Sequence, residues 1–168
     1  MLTVSAPGLA ALQRGFKEAP DYTRQELLVA MTTATALLER EFKDAFPSVS
    51  GLTRASIHGD AFSTPTGALG VVGSASVAVA AVELGTKPHM PPVEALESWV
   101  HDRMGLAGKE ALGVAWAIAR KIAKRGTKAQ YPIRDSWDAQ YKSVAQMFEQ
   151  AAGRIAAHLI ATGNGGAA

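Results

Sequence analysis

The chain has 168 residues, of which 48% are hydrophobic and 19% charged, and it contains no cysteine. That composition argues against disorder and predicts one folded domain, which at this length buries roughly 70% of its unfolded surface. Without cysteine there can be no disulfide, thiolate nucleophile or cysteine-bound zinc, which fits a reducing cytoplasm. Seventeen Lys and Arg against fifteen Asp and Glu give a net charge of +2, too small to indicate nucleic-acid binding by itself.

The two ends of the sequence differ from its middle. Residues 1–20 contain two prolines and two glycines, which predicts a loosely ordered N-terminal arm. They lack the pattern of a secretory signal, and no apolar run approaches the roughly 20 residues of a membrane helix, so we expect a soluble protein. We expect a single α+β domain over residues 21–160 and a flexible tail over residues 161–168.

A helix and then strands are predicted in the first half of that domain. Thr23 and Glu26 have the spacing of a capping box, and apolar residues recur at helical spacing as far as Phe42, so a first helix should stop near Pro47. The following stretch, rich in Ser, Thr, Val and Gly, predicts three strands, near residues 52–60, 68–73 and 77–84. Both alternating faces of the last strand are apolar, so it should lie between two packed layers or against another subunit.

Three helices are predicted after the strands. The first begins at Pro91 and Pro92, which suit a first helical turn. The second runs from about Lys109 to the stop signal Gly126, and the third follows Pro132. Because strands and helices are segregated along the chain, we expect an α+β fold with a small antiparallel sheet of about three or four strands.

No pattern of residues indicates catalysis, a metal or a cofactor. The GLAGKE stretch of residues 105–110 lacks the spacing of a phosphate loop, and the glycines of residues 67–73 lie within predicted strands. Only Glu97 and His101 share a helix face, and two ligands do not define a zinc site. Glu83 has no general acid–base partner near it in the sequence. We therefore expect no enzymatic activity, no metal and no cofactor.

A basic segment follows in the second half of the chain. Five basic residues lie at its C-terminal end: Arg120, Lys121, Lys124, Arg125 and Lys128. They lie at or just past the end of a predicted helix, where cations complement the helix dipole. Contact with a nucleic-acid backbone or with an acidic protein neighbour would use the same residues, and the sequence leaves all three interpretations open.

The stretch VELGTKPHMPP, residues 82–92, joins a predicted strand to a predicted helix. Gly85 can adopt a positive φ, Pro88 forces Lys87 into an extended conformation, and Pro91 with Pro92 fixes the start of the helix. These residues predict a stiff elbow, which loses little entropy when it docks on a partner. The pattern GTKxxxP recurs at residues 126–132, and we interpret the two copies as repeated turn chemistry rather than domain duplication.

The same stretch carries a resemblance to a known family. Residues 83–92, ELGTKPHMPP, resemble the E-[FL]-G-T-x-P-H-x-P-P signature of the tail-completion or neck proteins of long-tailed phages, also called minor tail components. Residues 117–128 are similar to that family's A-x-A-R-K-I-x-x-R-G-T-K segment, and residues 51–57 match its G-x-L-R-x-S-I segment in part. Asp135 and Ser136 replace a proline of the family pattern after Tyr131 and Pro132. The resemblance covers about residues 50–137.

The resemblance implies a virion structural protein and not an enzyme. Such a subunit forms a homo-oligomeric ring, usually hexameric, that joins the head connector to the tail tube. Its neighbours would be other neck, tail-terminator or tail-tube proteins, and the genome DNA would pass through the lumen without sequence-specific binding. The docking residues carried over to this chain are Glu83, Gly85, Thr86, Lys87, Pro88, Pro91 and Pro92.

The five basic residues leave a second hypothesis from another class. We expect them to face acidic neighbouring proteins, because a basic lumen would retain DNA through counterion release. The alternative is a small DNA-binding accessory protein that uses the basic segment 120–128. An enzyme of unknown type is the third hypothesis, and no group of residues supports it.

Overall fold

The computed structural model describes residues 9–46 and 51–164, and over these residues the fold is α+β and mostly helical. Six helices accompany one two-stranded antiparallel sheet. In chain order the elements are α1 (Leu9–Ala45), α2 (Leu52–Ala55), β1 (His58–Thr64), β2 (Gly67–Gly73), α3 (Val77–Leu84), α4 (Val93–Met104), α5 (Gly108–Arg125) and α6 (Pro132–Asn164). None of the described helices is long and apolar enough to cross a membrane.

The prediction of a third strand is wrong, because residues 77–84 form the helix α3. Their sequence, VAVAAVEL, is apolar on every face, so alternation could not distinguish a strand from a buried helix. The three alanines favour the helix, since alanine has the highest helix propensity of all residues. Gly85 then ends the helix with a φ of 70°.

The predicted strand at residues 52–60 is also shorter than expected. Residues Leu52–Ala55 form the single helical turn α2, and strand β1 begins only at His58. Gly51 precedes the turn with a φ of 75°, and its carbonyl accepts a hydrogen bond from the Ala55 amide at 2.8 Å. Ile57, between the turn and the strand, is completely buried. The sheet therefore has two strands, not three or four.

The helices at both ends are longer than predicted. The arm expected over residues 1–20 is helical from Leu9, with Pro20 inside α1, so Thr23 and Glu26 lie mid-helix and form no cap. A proline within a helix removes one amide donor, and the remaining turns of this 37-residue helix outweigh that loss. Helix α6 continues to Asn164, into the expected tail. Residues 1–8, 47–50 and 165–168 lie outside the described residues.

The chain divides into two compact units, each built from separate segments. The first unit contains residues 9–38, 59–72 and 140–164 of the described chain. Its core includes Ala30, Ala34 and Leu38 of α1 and Val144 and Ala151 of α6.

Strand β2 approaches α1 closely in this unit. A Cβ added at Gly70 would lie 2.5 Å from Met31 Sδ and 2.6 Å from Thr35 Cγ2. A larger residue at this position would force Met31 or Thr35 to shift, so the close approach of strand and helix favours glycine.

The second unit contains residues 39–46, 51–58 and 73–139 of the described chain. Helices α4 and α5 form an antiparallel pair in it, joined by a short loop, and their contact is centred on Val100, Ala111 and Ala115. Ala111, Ala115 and Ala119 follow one another at four-residue spacing and are all buried. This stripe of small side chains lets the two helices approach closely and leaves the larger Leu112 and Trp116 on the outer side of α5.

Candidate docking site

The two Gly-Thr-Lys segments, which are far apart in sequence, pair with each other in the second unit. The Thr86 amide donates to the Thr127 carbonyl at 3.1 Å, and the Thr127 amide donates to the Thr86 carbonyl at 3.2 Å. The two threonine hydroxyls are 3.1 Å apart and share a further hydrogen bond. We call residues 85–87 and 126–128 together the clasp. The two copies of the GTKxxxP pattern, interpreted from the sequence as repeated turn chemistry, thus form one paired structure.

Both halves of the clasp begin with a glycine in the same unusual conformation. Gly85 has φ 70° and ψ −179°, and Gly126 has φ 67° and ψ −161°, a region that essentially only glycine occupies. A Cβ at Gly85 would lie 2.5 Å from the Thr127 carbonyl oxygen, and one at Gly126 would overlap the Thr86 carbonyl oxygen. The clasp therefore needs glycine at both positions, for backbone conformation and for space.

Glu83 joins the clasp to helix α6. Its carboxylate accepts the Ile133 amide at 2.8 Å and the Arg134 amide at 3.2 Å, two of the unpaired donors in the first turn of α6. Its carbonyl accepts the Tyr131 amide at 3.3 Å. The partners missing from the local sequence thus lie about 50 residues away. They are backbone amides, so Glu83 acts as the cap of α6.

The residue before α6 has a strained backbone. Tyr131 has a φ of 54°, and it is the only non-glycine residue with a positive φ in the described chain. The Arg134 guanidinium lies 3.8 Å from the centre of the Tyr131 ring, a cation–π contact, and also pairs with Asp135 at 3.0 Å. The first of these contacts joins the end of the loop to the first turn of α6.

The proline segment leaves the clasp on the other side. Pro88 is exposed, and Nδ1 of His89 donates to the Lys87 carbonyl at 2.9 Å. Pro91 is partly buried, and Pro92, with φ −59° and ψ 122°, directly precedes the first residue of α4. The segment is a stiff connection between the clasp and α4.

The predicted basic residues are all exposed at the end of α5 and in the clasp. Because Thr86 pairs with Thr127, Lys87 lies beside this cluster as well. Among the described residues, none of these side chains forms an ion pair. We call the six residues together the basic surface: Lys87, Arg120, Lys121, Lys124, Arg125 and Lys128.

Two sets of residues predicted separately are therefore one site. Of the docking residues, Glu83, Gly85, Thr86 and Lys87 belong to the clasp or to its link with α6, and Pro88, Pro91 and Pro92 lead away from it. The structure adds Gly126, Thr127 and the first turn of α6, none of which was predicted to take part. The repeated GTKxxxP pattern was the signal for the first two.

An open cleft of about 440 Å³ lies at the other end of the α4–α5 pair. Its lining includes Glu97, His101, Asp102 and Gly108. Nδ1 of His101 is 3.1 Å from an Asp102 carboxylate oxygen, so the two side chains form an exposed pair. No three His, Asp or Glu side chains within the described ranges are grouped to hold a metal ion.

A polar cluster in the first unit links α1 to α6. Arg154 donates to Glu26 at 2.7 Å, and the rings of Tyr22 and His158 stack with centroids 3.8 Å apart. The hydrogen bond from Arg154 lowers the pKa of Glu26. Desolvation and the neighbouring Glu26 carboxylate raise the pKa of Tyr22. These contacts join α1 to α6 within the first unit.

Comparison of the chain with protein-family models, with curated protein sequences and with solved structures finds no match. The functional interpretation therefore depends on the site itself and on the resemblance described above.

Proposed function

We propose that the chain is a virion structural protein of a tailed phage, a ring-forming adaptor that joins the head connector to the tail tube. The observation that supports this most directly is the clasp, because it unites the signature segment and the basic segment in one surface. The resemblance associates both segments with neck proteins, and the pairing of Thr86 with Thr127 gives them a common structural purpose.

The construction of the clasp suits repeated docking. Two glycines with fixed φ, a capped helix and a proline-rich connector leave few backbone conformations to be lost when a partner binds. A preordered surface retains more of its interaction energy as affinity than a flexible loop does. In a ring every subunit makes the same contact, so the smaller loss of conformational entropy applies at each interface.

The charge of the basic surface selects an acidic partner. Its six exposed cations form no ion pairs in the described chain. They therefore attract negatively charged protein surfaces and repel other basic surfaces. We place them against acidic neighbouring proteins rather than in the lumen, because phosphate contacts there would slow the passage of DNA.

Deletion of the coding gene in the phage tests this function. The expected result is an accumulation of DNA-filled heads and separate tails, restored to joined particles by the wild-type protein supplied in trans. Joined, infectious particles in the absence of the protein would contradict the proposal.

A second candidate function is duplex DNA binding, which the lack of ion pairs on the basic surface favours. It predicts an affinity that falls steeply with salt, since each neutralised phosphate releases counterions. A double Lys124→Ala, Arg125→Ala variant distinguishes the two functions. If that variant assembles normally and only loses DNA binding, the result favours the accessory-protein function over the use of these residues in assembly.

A further inference from the structure

We propose that the acidic partner of the basic surface is the acidic end of the α4–α5 pair in a second copy of this chain, docked head to tail. This inference rests on the proposed ring-forming function and names the contact that would close the ring. It uses two surfaces of the second unit, one beside the turn between α4 and α5 and the other at the C-terminal end of α5.

Charge is distributed unevenly along the α4–α5 pair. Helix α4, the turn and the start of α5, residues 93–112, have four acids and two bases: Glu94, Glu97, Asp102, Glu110, Arg103 and Lys109. Residues 113–131 have five bases and no acid, and the clasp adds Lys87. Residues 93–112 are therefore net negative, with Glu97, Asp102 and Glu110 towards the turn, and the end of α5 with the clasp is strongly positive.

The acids near the turn and the cations in the last turn of α5 are far apart within one chain. Gly108 and Arg125 are the terminal residues of α5, and at 1.5 Å per residue they are about 26 Å apart. That distance is about three times the Debye length of about 8 Å at physiological ionic strength. Between two copies, however, the positive end of one can meet the negative end of the next directly.

An interface of this kind is heterologous, because each copy uses two different surfaces. Such contacts form a closed ring when the rotation between neighbours closes, and a filament when it does not. A contact of this kind is therefore compatible with the ring of the proposed function.

Exposed apolar side chains lie beside both charged regions. On α5, Leu112 and Trp116 are 40% and 44% exposed, and they precede Arg120 at four-residue spacing on the same helix face. On α4, Trp99 is 43% exposed and lies three residues before Asp102. Surface ion pairs alone add little affinity. Tryptophan and arginine, by contrast, are enriched among the residues that dominate binding energy.

The cleft near the turn is open enough to accept a side chain from another copy. It opens between α4 and α5 and is lined by Glu97 and Asp102, with His101 between them. A long cationic side chain from the end of α5 in the next copy can enter such an open cleft and meet a carboxylate at its wall. Lys124 and Arg125, exposed in the last turn of α5, are the residues best placed to do so.

Paired charge reversals in the full chain test this contact. One variant carries Lys124→Glu with Arg125→Glu, and the other carries Glu97→Lys with Asp102→Lys. Light scattering after gel filtration measures the mass of each, with circular dichroism to verify folding. Each variant alone should run at the monomer mass, because it brings like charges together. A Lys142→Glu variant, which changes an exposed residue of α6, is the control and should retain the ring mass.

Mixing the two variants should restore rings, because both kinds of contact between them again join opposite charges. A single chain with all four reversals should also assemble. Rings that survive either reversal, or a mixture that stays monomeric, would overturn the inference while leaving the ring function intact. A wild-type protein that is itself monomeric would instead contradict the proposed function.

Discussion

Thr86 and Thr127 exchange both of their backbone hydrogen bonds although 41 residues separate them in the chain. Each follows a glycine that ends a helix with a φ near 70°, so the two segments of the clasp begin with nearly the same backbone conformation. The pairing fixes the ends of α3 and α5 against each other and places the start of α6 beside them. Stability and docking should both depend on this contact.

Gly126→Ala should destabilise the protein strongly. The new Cβ would overlap the Thr86 carbonyl oxygen, which is backbone and cannot turn away, and alanine resists the φ of 67°. We expect a loss of about 2–4 kcal/mol in the free energy of unfolding, measured by urea denaturation. Gly113→Ala is the matched control, because nothing lies within 4 Å of its Cβ position in α5, and it should add about 0.5–1 kcal/mol. Equal midpoints for the two variants would contradict the structure of the clasp.

The threonine hydroxyls should couple energetically. Thr86→Val and Thr127→Val each remove one partner of the 3.1 Å hydroxyl contact, so the double variant should lose less than the sum of the single losses. The expected coupling is about 0.5–1.5 kcal/mol in a double-mutant cycle based on urea unfolding. Thr86→Val combined with Thr66→Val, in the turn of the sheet, serves as the additive reference. Additivity in both cycles would show that the hydroxyls do not interact.

Glu83→Ala should weaken the start of α6. It removes the acceptor of the Ile133 and Arg134 amides, and loss of such a cap costs about 0.5–2 kcal/mol. Glu83→Gln keeps one acceptor oxygen and should cost less. Thermal unfolding of both variants, with the exposed Glu149→Ala as the control, measures the difference. If Glu83→Ala unfolds at the wild-type temperature, Glu83 is not a cap.

The pair of Glu26 and Arg154 should make stability depend on acid pH. Since Arg154 lowers the folded-state pKa of Glu26 below its ordinary 4.5, the pair contributes stability above that value and loses it as the pH falls through the lowered pKa. Wild type should therefore lose more stability than Arg154→Gln between about pH 6 and pH 3, as measured by urea unfolding. Arg40→Gln, in an exposed pair with its sequence neighbour Glu41, is the control. Parallel pH profiles for wild type and Arg154→Gln would exclude the effect.

The predicted elements differ from the observed ones where local pattern and tertiary contact compete. Helices α4 and α5 follow directly from their caps and apolar spacing, and they lie close to where they were expected. The residues of α3 are apolar both at helical spacing and at the two-residue spacing of a strand, so the sequence could not distinguish the two structures. Pro20 misleads for a different reason, because one residue's preference is weaker than the sum over a 37-residue helix.

The candidate site was predictable in its parts and not in its assembly. The glycines and prolines of residues 82–92 indicated a stiff loop, and the cations of residues 120–128 indicated a basic patch. The two segments are brought together by backbone pairing between Thr86 and Thr127. A single pairing of this kind produces no periodic pattern in the sequence. The same is true of Glu83, whose partners are backbone amides and carry no side-chain identity at all.

Electron microscopy of the purified wild-type protein tests the central claim most directly. The ring-adaptor function predicts closed rings, uniform in subunit number, with an opening through which duplex DNA can pass and with the basic surface against a neighbouring subunit or stacked protein. A stable monomer at every concentration, or a ring with Lys124 and Arg125 lining its lumen, would contradict it.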